Sequence, residues 1–195
     1  MMTSESVKTL LSLPFHGGRN MSFQELFKHI QSTSDCEVSA PTGLPVILDE
    51  HVLPEDLQEF YGLCGGVSVY RKSSRRFGIL APERVVQANP LLLPGLTPEQ
   101  SASSANDISW SWYIIAHDYG GNYLTIDLSK DRLGRCYDSF FDRHAMPGYC
   151  PIIARSFTDL LTRLLENQQE YPYWELADFV PMGDAYDGID YLGNR

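Results

Sequence analysis

Residues with chemical potential crowd most densely at 117–128, HDYGGNYLTIDL, where a histidine and two carboxylates flank a glycine pair. A histidine with two acids could ligate a metal ion or move a proton. The four cysteines, Cys36, Cys64, Cys136 and Cys150, raise a second possibility. A thiolate with His117 or His144 and an aspartate would make a nucleophilic site. Asp142 and His144 alternate along FFDRHAMPGYC, and the aromatics of SWSWY could stack on a sugar or a base.

Each arrangement must survive the geometry of the elements that carry it. Around the glycine pair, strand alternation puts Trp112, Ile114 and Ala116 on one face, and Leu124, Ile126 and Leu128 on one face of the next strand. The two sets meet if Ala116 pairs with Leu124 and Ile114 with Ile126. Tyr119, Gly120 and Gly121 are then a hairpin loop, in which a glycine takes the left-handed position. In that register Asp127 lies opposite Tyr113, roughly 13 Å from His117 at about 3.3 Å per residue, and Asp118 points to the other face. The three groups do not converge, so the stretch reads as a turn.

The other arrangements fare no better. Cys64 falls on the apolar stripe of a helix, where a small buried thiol is the simpler role. Cys136 sits mid-strand, and Cys150 beside Pro151 has no activating neighbour. No CxxC or HxxxH spacing supports a metal, and CGGVSVYRKSSRR lacks the ending of a phosphate loop. No spacing selects a pair of carboxylates for hydrolysis. The reading is no enzyme, no cofactor and no metal.

The elements follow from periodicity. MSFQELFKHIQS is a helix with a Ser22–Glu25 capping box and a stripe of Phe23, Leu26, Phe27 and Ile30. LPEDLQEFYGLCGG is a second helix, with Pro54 in its first turn and Gly65 or Gly66 as the left-handed residue that ends it. GVSVY and FGIL read as strands around RKSSRR, a charged loop, and APERVVQAN as a short helical turn. Residues 90–108 read as an insertion with little regular structure. Strands at SWSWYIIAH, NYLTIDL and GRCYDS precede a closing helix, RSFTDLLTRLLEN, capped by Ser156. The chain divides into an arm at 1–21, a domain at 22–170 and an acidic, aromatic tail at 171–195.

Composition bounds the function. The 195 residues suit one domain, and 43% hydrophobic residues suffice for a core. With 25 Asp and Glu against 15 Lys and Arg, the net charge is −10. That excludes a general nucleic-acid binder and favours a basic partner. No stretch is long and apolar enough for a membrane span and no secretory pattern is present, so a cytoplasmic protein with reduced thiols is expected.

The order of segments resembles the SUKH superfamily of Smi/Knr-type cell-wall regulators and bacterial immunity proteins. Leu53, Pro54, Leu57, Tyr61, Gly65 and Gly66 match its leading motif. FGIL and APERVV resemble the following strand and turn. WYIIAHDYGGNYLTIDL resembles its central hairpin, with Gly120, Gly121 and Asp127 matching, and GRCYDSF and SFTDLLTRLLE resemble its last strand and helix. The likeness spans residues 22–167. Cys64 departs from it, standing where an Asn commonly precedes the glycine, and the insertion and tail lie outside it. The resemblance implies an α+β domain, a mostly antiparallel sheet with helices packed on it, and no catalysis. It implies an immunity protein that neutralises a polymorphic toxin by direct binding; the alternative is a regulatory or scaffolding module that uses the acidic, aromatic tail as a docking peptide. The toxin would be basic, and no nucleic acid or membrane is expected as partner.

A partner surface is expected on the hairpin face away from the core, which would display Tyr113, His117, Tyr123 and Asp127. Asp118 and Tyr119 crown the turn, and Asp138 and Asp142 follow the next strand. Asp118, Tyr119, Tyr123, Asp138 and Asp142 form the candidate interface, because tyrosines supply rigid contact area and acids pair with Lys or Arg.

Overall fold

The computed structural model describes residues 22–74, 76–96, 100, 106–167 and 170–189. The expected N-terminal arm lies outside them, as do parts of the insertion and the end of the tail.

Seven strands follow one another across a single sheet: β1 (Glu37–Val38), β2 (Val67–Val69), β3 (Phe77–Ile79), β4 (Trp112–His117), β5 (Tyr123–Asp127), β6 (Cys136–Ser139) and β7 (Ile152–Ala154). Every neighbouring pair is antiparallel. With the helices below, this is the expected α+β class. The edge strands β1 and β7 were not legible in the sequence, because two or three residues are too few for alternation to appear.

Helices α1 (Phe23–Ser32), α2 (Glu55–Leu63) and α4 (Phe157–Glu166) pack together around Phe60, whose ring meets Phe23 at 6.0 Å and Phe157 at 4.9 Å. The Ser22–Glu25 capping box forms as expected. Asp56, in the first turn of α2, accepts the Thr158 N–H at 2.8 Å and so caps α4 from outside it. The α4 stripe of Phe157, Leu160, Leu161, Leu164 and Leu165 is buried. Each such side chain contributes roughly 1.5 to 3 kcal/mol of apolar burial.

Pro54 stands at the N-cap of α2 rather than in its first turn, and α2 ends in Cys64 with an extended backbone rather than a left-handed one. The glycine pair acts one step later. Gly66 takes φ +129 as the chain enters β2, and Gly65 lies where an added Cβ would be 2.2 Å from the Ala40 carbonyl oxygen.

The opposite face of the sheet is covered as well. A short helix, α3 (Ala88–Leu92), lies along β4, and a 3-10 turn at Ile108–Ser111 occupies residues expected to begin that strand. Residues 171–189 fold back onto the domain. Tyr173, Trp174, Ala185 and Tyr186 are buried, and the Tyr173 hydroxyl donates to the Ile153 carbonyl at 2.8 Å. Backbone bonds from Ile152 to Gly183 at 2.9 Å and from Ala185 to Cys150 at 2.8 Å cover the outer edge of β7. The described part of the acidic tail is thus integral to the fold, drawn in by its aromatics.

Double coverage explains the one register error. Ala116 pairs with Leu124 as expected, but Tyr113, not Ile114, faces Ile126, and Trp112 faces Asp127. The pairing shifts between Ile114 and Ala116, so Ile115 is an extra residue in a β-bulge. Trp112 through Ala116 are all buried. Where both faces are dry, alternation no longer fixes which residue faces which side.

Candidate functional site

The bulge sends Trp112, Ile114, Thr125 and Asp127 to the face opposite Tyr113, Ala116, Leu124 and Ile126. Asp127, expected on a solvent face, is fully buried there. Its carboxylate accepts from Ser111 Oγ at 2.7 Å, Ser129 N–H at 2.9 Å, Arg132 Nε at 2.7 Å, Trp112 Nε1 at 3.2 Å and Tyr137 Oη at 3.3 Å. Five donors from five chain positions satisfy one buried charge. Tyr113 is also buried, and its hydroxyl accepts the Leu48 N–H at 3.2 Å.

His117 lies at the far end of β4 from Asp127 and pairs with Tyr123. Burial lowers its pKa, with Arg84 acting in the same direction. Asp118 closes the hairpin loop, accepting from the N–H groups of Gly120 at 2.6 Å and Asn122 at 3.0 Å and from Asn122 Nδ2 at 2.8 Å. The loop spans the expected residues, with Gly121 at φ +100 and Tyr119 at φ 63. Tyr119 is exposed, packs on His117 with ring centroids 4.2 Å apart, and shares a 2.6 Å hydrogen bond with Ser68. Tyr123 is half-buried.

The remaining candidates split. Asp142 is exposed, but Asp138 is fully buried, 2.6 Å from the Arg143 guanidinium. Arg143 also reaches Glu175 at 3.0 Å and so ties the segment after β6 to the chain beyond α4. Asp138 therefore cannot meet a partner in this fold. It pairs with Leu124 across the strands, so its side chain shares the apolar side of β5. Sequence reasoning missed this because Arg143 comes from the following loop.

Burial shifts two nearby groups in opposite senses. It pushes the Asp138 carboxyl up to about 6, against the opposing pull of the Phe140 N–H and Arg143. It pushes His144 down to about 4. His144 Nε2 donates to Asn89 at 2.8 Å, while its Nδ1 has no partner. Between about pH 6 and 4 the folded state holds Asp138 protonated where the unfolded chain does not, so this group adds stability as pH falls. His144 stays neutral in the fold while the unfolded chain binds a proton, so it removes stability over the same range. Each is worth about 3 kcal/mol at full extent. Urea unfolding at several pH values should show the two offsetting in the parent. Relative to it, Asp138→Asn should lose stability on acidification and His144→Gln should gain it. Parallel curves for all three proteins would contradict these assignments.

The thiols are held in their neutral form. Burial pushes Cys64 up to about 11 and Cys150 up to about 12, and raises Cys136 well above its ordinary value. Among the described residues no group of His, Cys, Asp and Glu is placed to hold a metal ion, and no helix is long and apolar enough to cross a membrane.

The concave feature beside the Asp127 network is a hollow of about 680 Å³, lined by Leu48, Glu50, His51, Gln87, Asp107 and Arg132 among others. Its walls come from four separate stretches of chain, so no local motif announces it.

Comparison with known proteins bears on this arrangement. The model of the SMI1 / KNR4 family (SUKH-1) matches residues 50–163, which include α2, all strands from β2 to β7 and most of α4. The chain is 48% identical over 170 residues to the immunity protein YokJ of Bacillus subtilis (strain 168), covering 87% of this chain and 99% of that protein. No solved structure matches.

Proposed function

The chain belongs to the SMI1 / KNR4 family (SUKH-1), and from that premise we propose that it is a cytoplasmic immunity protein that neutralises a toxin by binding it directly, without catalysis. The observation that carries this reading is near end-to-end similarity to a protein named for immunity. The chemistry of the interior supports it. The buried carboxylates Asp127 and Asp138 are committed to partners within the fold, and the buried thiols are held neutral. What is left to act is the surface.

The chain as a whole carries a net charge of −10. A basic toxin domain is the partner it suits, because opposite fields speed encounter and carboxylates can occupy a site built for phosphates. Of the acids and tyrosines first expected at the interface, Tyr119, Tyr123 and Asp142 remain as candidate contacts, whereas Asp118 and Asp138 serve the fold. A free docking tail is disfavoured, since Tyr173, Trp174 and Tyr186 are buried. Co-expression with the toxin genes of the native host tests the reading: for at least one of them, cells should grow with the protein and die without it. Death in both cases with every such toxin would refute it.

A further inference from the structure

Residues 44–48 lie outside helix and strand, and exposure alternates along them. Leu44 is 51% exposed, Val46 90% and Leu48 44%. Between them Pro45 is buried and Ile47 packs against the core. The ridge is pinned rather than loose. The Leu48 N–H donates to Tyr113 Oη at 3.2 Å, and the Leu48 carbonyl accepts the His51 N–H at 3.0 Å. Three adjoining aliphatic side chains held in water on a fixed segment mark an interaction site better than scattered exposed ones do.

Asp49 and Glu50 follow directly and are exposed. Leu48 and Glu50 also line the 680 Å³ hollow, together with Asp107. Among the described residues, neither Asp49 nor Glu50 makes an ion pair, whereas Asp107 accepts from the Ser109 N–H at 2.8 Å and from Tyr186 Oη at 2.9 Å. The arginine in the wall, Arg132, is already committed to Asp127 at 2.7 Å. Apolar ridge and a hollow rimmed by the unpaired Glu50 are therefore contiguous, at the end of the β4–β5 hairpin opposite its turn.

We propose that the ridge of Leu44, Val46 and Leu48, with the hollow behind it, is the docking surface for a basic protein domain. The ridge meets an apolar patch on that domain, and the hollow receives one of its Lys or Arg side chains beside Glu50. That this domain is the toxin rests on the immunity reading above. A second copy of the chain is a poor occupant, because two chains that each carry a net charge of −10 repel.

The probe is the purified toxin domain from the native host against which the protein protects in co-expression, titrated against the full chain and against Val46→Asp, Glu50→Lys and, on the exposed side of α2, Glu59→Lys. Val46 and Glu50 are exposed, so unchanged melting temperatures confirm that these variants fold. Val46→Asp and Glu50→Lys should each weaken binding at least tenfold, with Glu59→Lys within threefold of the parent. Parent-like affinity for Val46→Asp and Glu50→Lys would overturn the assignment while leaving the immunity reading intact. So would a parent dimer, seen by light scattering, that Val46→Asp dissolves, or a tightening of toxin binding on deletion of residues 1–21, which would make that segment the occupant. Absence of binding by the parent would refute the immunity reading, and this assignment would fall with it.

Discussion

Asp127→Ala should lower stability by about 3 to 5 kcal/mol, the range found when one partner of a buried ion pair is removed. The carboxylate is fully buried and satisfies Arg132, Ser111, Trp112, Tyr137 and the Ser129 N–H. Alanine leaves that guanidinium and four neutral donors in the interior without their acceptor. Asp127→Asn keeps the shape and part of the bonding and should lose less. Urea unfolding of the three proteins at neutral pH measures this directly. A loss below about 1 kcal/mol for the alanine variant would mean that water replaces the carboxylate and that the network does not hold the β4–β6 face together.

Gly66→Val should cost about 3 kcal/mol or more, because two penalties coincide. The backbone takes φ +129, and an added Cβ would sit 2.8 Å from the Ile79 carbonyl oxygen on the neighbouring strand. Gly121→Val isolates the first penalty. It has φ +100 with nothing within 4 Å of its Cβ, so backbone strain alone should cost about 1 to 3 kcal/mol. Chemical unfolding of both variants checks the ordering. Equal losses would show that the strands at Gly66 separate enough to admit a side chain.

These sites show where sequence reasoning reached and where it stopped. The helices were legible because caps and stripes are local. Ser22 with Glu25, and Ser156 before the Phe157–Leu165 stripe, define their helices within one or two turns. The hairpin loop was legible because its glycines and the Ala116–Leu124 pair lie close together in the chain. The bulge at Ile115 was not, since a strand buried on both faces gives alternation nothing to report. Asp127 and Asp138 were placed on the surface for the same reason: acids read as solvated unless their partners are known. Those partners, Ser111, Arg132 and Arg143, arrive from loops whose paths only the fold determines. The aromatic tail misled in the same way, because its buried contacts lie on strands far earlier in the chain, as Trp174 does on Phe77.

Direct binding between this protein and the toxin domain against which it protects in co-expression tests the central claim most directly. Stopped-flow association with the purified partners, at low and at physiological salt, supplies both affinity and charge dependence. The expected result is a stoichiometric complex of nanomolar affinity, about −12 kcal/mol. Its association rate should fall as salt screens the acidic surface, while its dissociation rate changes less. No complex at micromolar concentrations, with both partners folded, would contradict the account.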